Sequence, residues 1–301
     1  HMQEKAFTDS PLSFSEGINK LTGTRNAPTV VNAAFFQTLF WDGREPDLEG
    51  QAGQPFLNPV EMALKDYQPI LSIVRSDKEY QELFAKVFSK SANDISIKEV
   101  TKAIASFERT LISGDSPFDK FYFGNDKNAM SQAAQRGFQV FVGQGRCVSC
   151  HTIAQTHALF TDNRFHNLGI GFVRIEKDVR ELANAFSAAK AKGSNVDVAV
   201  LSNKNTSELG RFAVTDEWQG IGSFKTPTLR NIDKTAPYMH DGSLKTLKDV
   251  VEFYDKGGKN KDDDTINSFQ SGGMRALNLS KNQKADLAEF MQALTSPQYA
   301  K

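Results

Sequence analysis

The sequence lacks any apolar run that approaches the roughly 18 residues needed to span a bilayer, and it shows no signal peptide. A transmembrane segment is thereby excluded from these residues. Neither sign of charge is in excess, with 36 Lys plus Arg against 36 Asp plus Glu. No global field therefore selects for nucleic acid or for an anionic membrane. Short-period repeats, low-complexity tracts and convincing alternating strands are also missing, so the fold class reads as all-α. At 301 residues the chain has room for two domains or one large one. Cysteine is scarce as well: there are two in the chain.

Both fall in Arg146-Cys147-Val148-Ser149-Cys150-His151. Cys-x-x-Cys-His is the attachment sequence of a c-type haem: Cys147 and Cys150 add to the porphyrin vinyl groups, and His151 becomes the proximal iron ligand. A reducible pair of the thioredoxin kind is the alternative, but no βαβ pattern surrounds the motif. Phe, at 23 residues, suits a core packed around a large flat cofactor and equally an ordinary core. Haem c is attached on the oxidising side of a membrane. The natural protein is therefore expected to carry an export signal and to be periplasmic, with His1-Met2 as a cloning remnant.

Residues 3–60 are rich in turn formers, among them Gly43, Gly50, Gly53 and Pro55, and show little helical periodicity. Such a long irregular segment is usually functional. Apolar spacing predicts helices from Glu61 to about Arg75 and from Lys78 to Phe88. Ser96 and Glu99 form a capping box that opens a helix running through Leu111. The polar stretch 124–128 reads as a domain boundary, after which Ser131 to Val142 leads straight into the haem motif, the arrangement of a cytochrome c domain. Residues 178–209 begin helical and then read as a surface excursion. Thr246 to Tyr254 and Ser280 to Leu294 are the last helices, and Asp262-Asp263-Asp264 reads as a solvated acidic turn.

Six segments besides the haem motif resemble, in order, the bacterial di-haem cytochrome c peroxidases and their MauG-like relatives. They are 24–29 (Thr-Arg-Asn-Ala-Pro-Thr), 40–44 (Phe-Trp-Asp-Gly-Arg), 58–62 (Asn-Pro-Val-Glu-Met), 106–111 (Ser-Phe-Glu-Arg-Thr-Leu), 225–231 (Lys-Thr-Pro-Thr-Leu-Arg-Asn) and 235–242 (Thr-Ala-Pro-Tyr-Met-His-Asp-Gly). The resemblance implies two cytochrome c-like domains with long irregular loops: 1–127, of the peroxidatic type, and 128–301, the electron-transfer domain. That family carries two haem motifs, and only the second is present here. The first is expected just upstream of Gln3, with His1 either a tag residue or that motif's own histidine.

The resemblance also implies roles. Glu61 is similar to the acid/base residue above an open iron face, and Gln51 to the amide that positions peroxide. Trp41 resembles the tryptophan between two haems, an electron bridge that is equally able to act as interdomain packing. Asn26, Thr235 and Pro237 match positions that bind Ca²⁺, a hard cation suited to oxygen donors. Tyr254 matches the sixth-ligand position, Met in the peroxidases and Tyr in MauG-like proteins. A phenolate favours Fe(III) and higher valence, whereas a thioether favours Fe(II). Met239 competes for that position, His240 more weakly, and a buried core tyrosine is the plain alternative for Tyr254. His157 and His166 have no motif support and read as surface or satisfied polar residues. The implied activity is reduction of hydrogen peroxide, with electrons from a small redox protein such as a cytochrome c or cupredoxin. In the MauG manner, an oxidisable protein substrate supplies them instead. The resemblance also admits a homodimer. The contrasting expectation is a mono-haem electron-transfer module without peroxide chemistry.

Overall fold

Helices begin where short polar side chains satisfy the first free amides, and the capping signals of the sequence locate most of them. The computed structural model describes residues 1–258 and 267–300. Asp262-Asp263-Asp264, expected to form an acidic turn, lie outside the described residues. Residues 1–47 contain turns and short 3-10 segments but no α-helix.

Helix α1 spans Leu48–Leu57, and Asp47 caps it by accepting from the Gly50 amide at 2.7 Å. Gly50, Gly53 and Pro55 hide this helix from periodicity. Its Leu48 joins an apolar cluster with Ala105 of α4, and Gly53 lies against Thr101, so tertiary packing overrides weak propensity. Helix α2 (Gln68–Ser76) starts later than Glu61, the predicted start. Residues 58–63 instead fold into a turn: the Glu61 and Ala63 amides both donate to the Asn58 carbonyl, and Ala63 takes a φ of 54°. This correction places Glu61 on a turn rather than in a helix. Helix α3 (Lys78–Phe88) is capped by Asp77.

Helix α4 (Ile97–Glu108) has the Ser96/Glu99 capping box but ends before Leu111. Helix α5 (Pro117–Tyr122) opens on a second box, Ser116/Asp119. Helix α6 (Gln132–Val142) is capped by Ser131 and ends at Gly143, immediately before the haem motif. Helices α7 (Val179–Ala191), α8 (Val196–Ser202), α9 (Lys204–Ser207) and α10 (Phe212–Thr215) follow. Helix α11 (Leu247–Asp255) starts at a Thr246/Asp249 box and α12 (Lys281–Gln292) at Ser280/Gln283. Between these helices β1 (Phe165–His166) pairs antiparallel with β2 (Phe224–Lys225), with Phe165 opposite Lys225. The two-residue strands leave the fold all-α. Among the described residues no helix is long and apolar enough to cross a membrane.

The largest apolar cluster gathers Phe118, Phe138, Phe141, Phe160 and Phe290, with Cys147 and Val148 packed against it. Helices α6 and α12 cross there at Gly137, where a Cβ would lie 2.8 Å from that of Phe290 and run into the Asp286 carbonyl. Only glycine permits that approach. A second cluster holds Phe172, Phe186, Val200, Leu201, Leu209 and Ile221. Residues 178–209 are therefore no surface excursion. Their Ser, Asn and Lys letters conceal buried Val200 and Leu201 and also buried Asp197, Ser207 and Glu208, whose polar groups are bonded inside. A third cluster packs α2 and α3 through Leu71, Val74 and Phe84 against Ile95 and Val100.

Candidate active site

The haem motif sits on a 3-10 turn, Cys147–Ser149, entered through Arg146 at a φ of 52°. The turn returns through the His151 amide, which donates to the Cys147 carbonyl at 2.9 Å. A Cβ on Gly145 would come 2.8 Å from the Val140 carbonyl and 3.3 Å from the Cys147 sulfur, so the approach to the turn is made by glycine. His151 Nδ1 lies 2.8 Å from the Phe160 carbonyl. A carbonyl only accepts, so Nδ1 carries the proton and Nε2 presents its lone pair. Burial pulls His151 below the usual histidine range, which keeps it neutral and ligand-competent. The two cysteines are free thiols, and burial pushes Cys147 up to about 12, far from a reactive thiolate.

Tyr254, near the end of α11, shares this neighbourhood. Burial first, and then the adjacent Cys147 and Cys150 sulfurs, push its phenol above the ordinary tyrosine range. No hydrogen bond among the described residues engages its hydroxyl. Two thiols on one turn, an imidazole with its outer nitrogen fixed, an apolar wall of phenylalanines and an uncommitted phenol together fit a covalently attached haem. Cys150, Asp162 and His166 also offer ligand atoms within 4.8 Å of one another. Cys150 also belongs to the Cys-x-x-Cys-His motif, so this trio is not separate from it. His166 is satisfied by Asp162 at 2.9 Å, and His157 is exposed beside Thr156.

His240 is otherwise committed. Its Nε2 lies 3.0 Å from a Glu208 carboxylate oxygen, and its ring stacks on Phe224 with centroids 3.6 Å apart. Met239 adopts a φ of 73° in the same turn. Trp41 meets the His240 ring edge-on at 6.5 Å, donates through Nε1 to the Asn26 carbonyl at 2.8 Å, and accepts at its own carbonyl from the Lys225 amide at 2.7 Å. It thus joins the segment 24–44 to β2. The Asn26 amide donates to the His240 carbonyl at 2.7 Å, and its side-chain nitrogen donates to Leu12 and Ser13 carbonyls. The side-chain oxygen is left open. Thr235 donates its hydroxyl to the Ile232 carbonyl, and Pro237 is buried two residues on.

Glu61 occupies the other candidate centre. Its Oε2 is buried and has no hydrogen-bond partner among the described residues. Burial, reinforced by the negative charge of Asp197 and opposed by Arg44, raises its carboxyl to about 7. The backbone behind it is fixed: the Ile18 amide donates to the Glu61 carbonyl at 2.7 Å, and a Cβ on Gly17 would come within 2.8 Å of the Glu61 Cα. Gln51 lies on α1, half-buried, with no side-chain hydrogen bond among the described residues.

Beneath Glu61 runs a chain of buried charges that sequence reasoning missed. Asp42 bridges Arg25 at 2.6 Å and Arg44 at 3.0 Å, and Arg44 continues to Asp197 at 2.6 Å. Asn58 donates to the other Asp197 oxygen, and Arg211 donates to the Asp42 and Gly43 carbonyls. Two charged letters inside 40–44 were the available signal for Asp42 and Arg44. Nothing local marks Asp197, which reaches them from α8.

The helical architecture and the Cys147–His151 motif fit the class of c-type haem proteins. Residues 1–127 match the family described as di-haem cytochrome c peroxidase. The chain is 31% identical over 289 residues to the methylamine utilization protein MauG of Methylorubrum extorquens, covering 94% of this chain and 69% of that protein. It is 35% identical over 241 residues to the cytochrome c551 peroxidase of Nitrosomonas europaea, covering 80% of this chain and 61% of that one. A crystal structure of a MauG-like protein associated with microbial copper homeostasis superposes with a TM-score of 0.76 at 28% identity, over 100% of this chain and 85% of its own. The chain belongs to the di-haem cytochrome c peroxidase and MauG family, whose named peroxidases are oxidoreductases that use haem c.

Proposed function

We propose that this protein reduces hydrogen peroxide to water, consuming two electrons and two protons per peroxide, and that Glu61 handles the protons. The observation that carries this reading is the buried, unpartnered Glu61 oxygen at a carboxyl raised to about 7. A group poised near neutrality can take a proton from one peroxide oxygen and return it to the other. Gln51 orients the peroxide through its uncommitted amide. Trp41, hydrogen-bonded at both its indole and its carbonyl, keeps a rigid aromatic path between the two halves of the chain.

Cys147, Cys150 and His151 would hold the haem c of the C-terminal domain, residues 128–301. That group supplies an iron that accepts and releases single electrons. Tyr254 would be the second protein group to hold the iron, with Met239 as the competitor. The Glu208 bond of His240 argues against His240 in that role. The domain 1–127 would be served by a second haem, and the Asn26 side-chain oxygen with oxygens of Thr235 and Pro237 would hold Ca²⁺. Electrons come from a small periplasmic redox protein or from an oxidisable protein substrate, as the similarity to MauG suggests.

The haem-loaded, full-length protein is expected to consume peroxide in the presence of a reduced cytochrome c or cupredoxin. Haem-loaded protein that leaves peroxide untouched with every donor is an electron-transfer module instead. For the ligand, the ferric protein is expected to lack a methionine-to-iron charge-transfer band in the near infrared. Tyr254→Phe is expected to change its visible spectrum. A methionine band present in both proteins would assign Met239.

A further inference from the structure

Strand β2 carries a buried cation without an anion. Lys225 is 9% exposed; its ammonium donates to the Thr38 carbonyl at 2.8 Å and stands 4.2 Å from the centre of the Phe36 ring. Neither neighbour is a counter-charge. Among the described residues no carboxylate forms an ion pair with it, whereas buried Arg25, Arg44 and Arg230 each have one. Burial alone pulls this ammonium down to about 8, which leaves it charged at neutral pH. A buried ammonium persists only when charge and hydrogen bonds compensate it. Lys225 has three N–H donors and spends one on Thr38. The Thr38 hydroxyl oxygen, on the same residue that takes that bond, is buried with no partner.

The position of this cation says which anion it meets. Lys225 lies opposite Phe165 in the strand pair. Next to Phe165 is His166, which shares a cluster within 4.8 Å with Asp162 and the Cys150 sulfur. The Thr226 amide donates to the Arg164 carbonyl at 2.9 Å, and the Thr161 hydroxyl donates to the Thr226 carbonyl at 2.6 Å, so β2 is tied to the segment beside the haem motif. On its other side, the Lys225 amide holds the Trp41 carbonyl.

We propose that the Lys225 ammonium and the Thr38 hydroxyl bind a haem propionate carboxylate, the anion that a haem brings with it and that the polypeptide does not supply here. The proposal rests on the reading of Cys147-Val148-Ser149-Cys150-His151 as a haem attachment site. The carboxylate comes from the macrocycle attached there or from a second haem beyond Trp41. In either case a fixed positive charge at the propionate favours the reduced iron electrostatically and raises that haem's potential.

The test uses the haem-loaded protein, with covalent haem first counted by intact mass. In a spectroelectrochemical titration, Lys225→Met is expected to lower the reduced-to-oxidised ratio of one haem about tenfold at a fixed potential, a shift of about 59 mV for one electron. Lys225→Arg is expected to restore it. Lys225→Gln keeps a donor of similar length without the charge and serves where the Met variant does not fold. The propionate bending modes in the resonance Raman spectrum are expected to shift in the neutral variants and return in Lys225→Arg. A shift confined to the His151-ligated haem assigns its propionate, and a shift confined to the other haem assigns the second source. Haem-loaded neutral variants with unmoved potentials and unmoved propionate modes overturn the proposal alone. A chain without covalent haem overturns the attachment reading, and this proposal with it.

Discussion

Glu61→Gln is expected to lower peroxide turnover by about 10²–10⁴-fold, the usual contribution of a positioned acid/base group. The substitution keeps the size of the side chain and removes its proton exchange. Burial, with Asp197 adding to it, raises the carboxyl to about 7. The base form therefore populates as pH rises through about 7, and kcat/KM of the native protein is expected to climb over that interval. The glutamine variant should show low activity without that limb. The same shift has a stability consequence. The folded state holds the Glu61 proton more tightly than the unfolded chain, so stability declines as pH rises from the ordinary carboxylate range through about 7. Glu61→Gln is expected to melt higher than the native protein at pH 8 while turning over far less peroxide. Retained turnover with an unchanged pH limb would place the proton handling on another residue.

Asp42→Asn is expected to destabilise the protein by about 3–5 kcal/mol, the range found when one partner of a buried ion pair is removed. Asp42 is fully buried, and two guanidiniums, Arg25 and Arg44, converge on its carboxylate. An asparagine leaves both cations facing a neutral amide. Burial alone would raise the Asp42 carboxyl, but Arg44 and Arg25 outweigh it and hold the group at about 2. Its folded value thus lies below the ordinary aspartate value of 3.8. The stabilisation is complete above the ordinary aspartate range and is lost as pH falls toward 2. Denaturant titrations at pH 7 and between pH 4 and 2 check both statements: the native protein should lose stability across the acid interval, and the variant should lose less there. A variant within 1 kcal/mol of the native protein at pH 7, roughly the value of an exposed pair, would show that the ion chain carries little of the fold.

The same chain of charges separates what was legible in the sequence from what was not. The motif of Cys147, Cys150 and His151 was legible because haem attachment, where it occurs, demands such spacing within a few residues. The capping box of Ser96 and Glu99 was legible for the same reason, since a cap acts on amides two or three positions away. Glu61 was found through its resemblance to a family motif. Periodicity placed it at the head of a helix, and only the Asn58 turn set it free of one.

The residues alone carried the helical class and the family. Tertiary structure decided the environment of the chemistry. Arg44 meets Asp197 across 153 positions, Lys225 reaches Thr38 across 187, and the stretch 178–209, polar in its letters, holds Val200 and Leu201 in a core. The physical reason is range. Caps, turns and thioether spacing are local constraints written in neighbouring residues, whereas the burial that raises Glu61 and strands the Lys225 ammonium exists only once distant segments have excluded water.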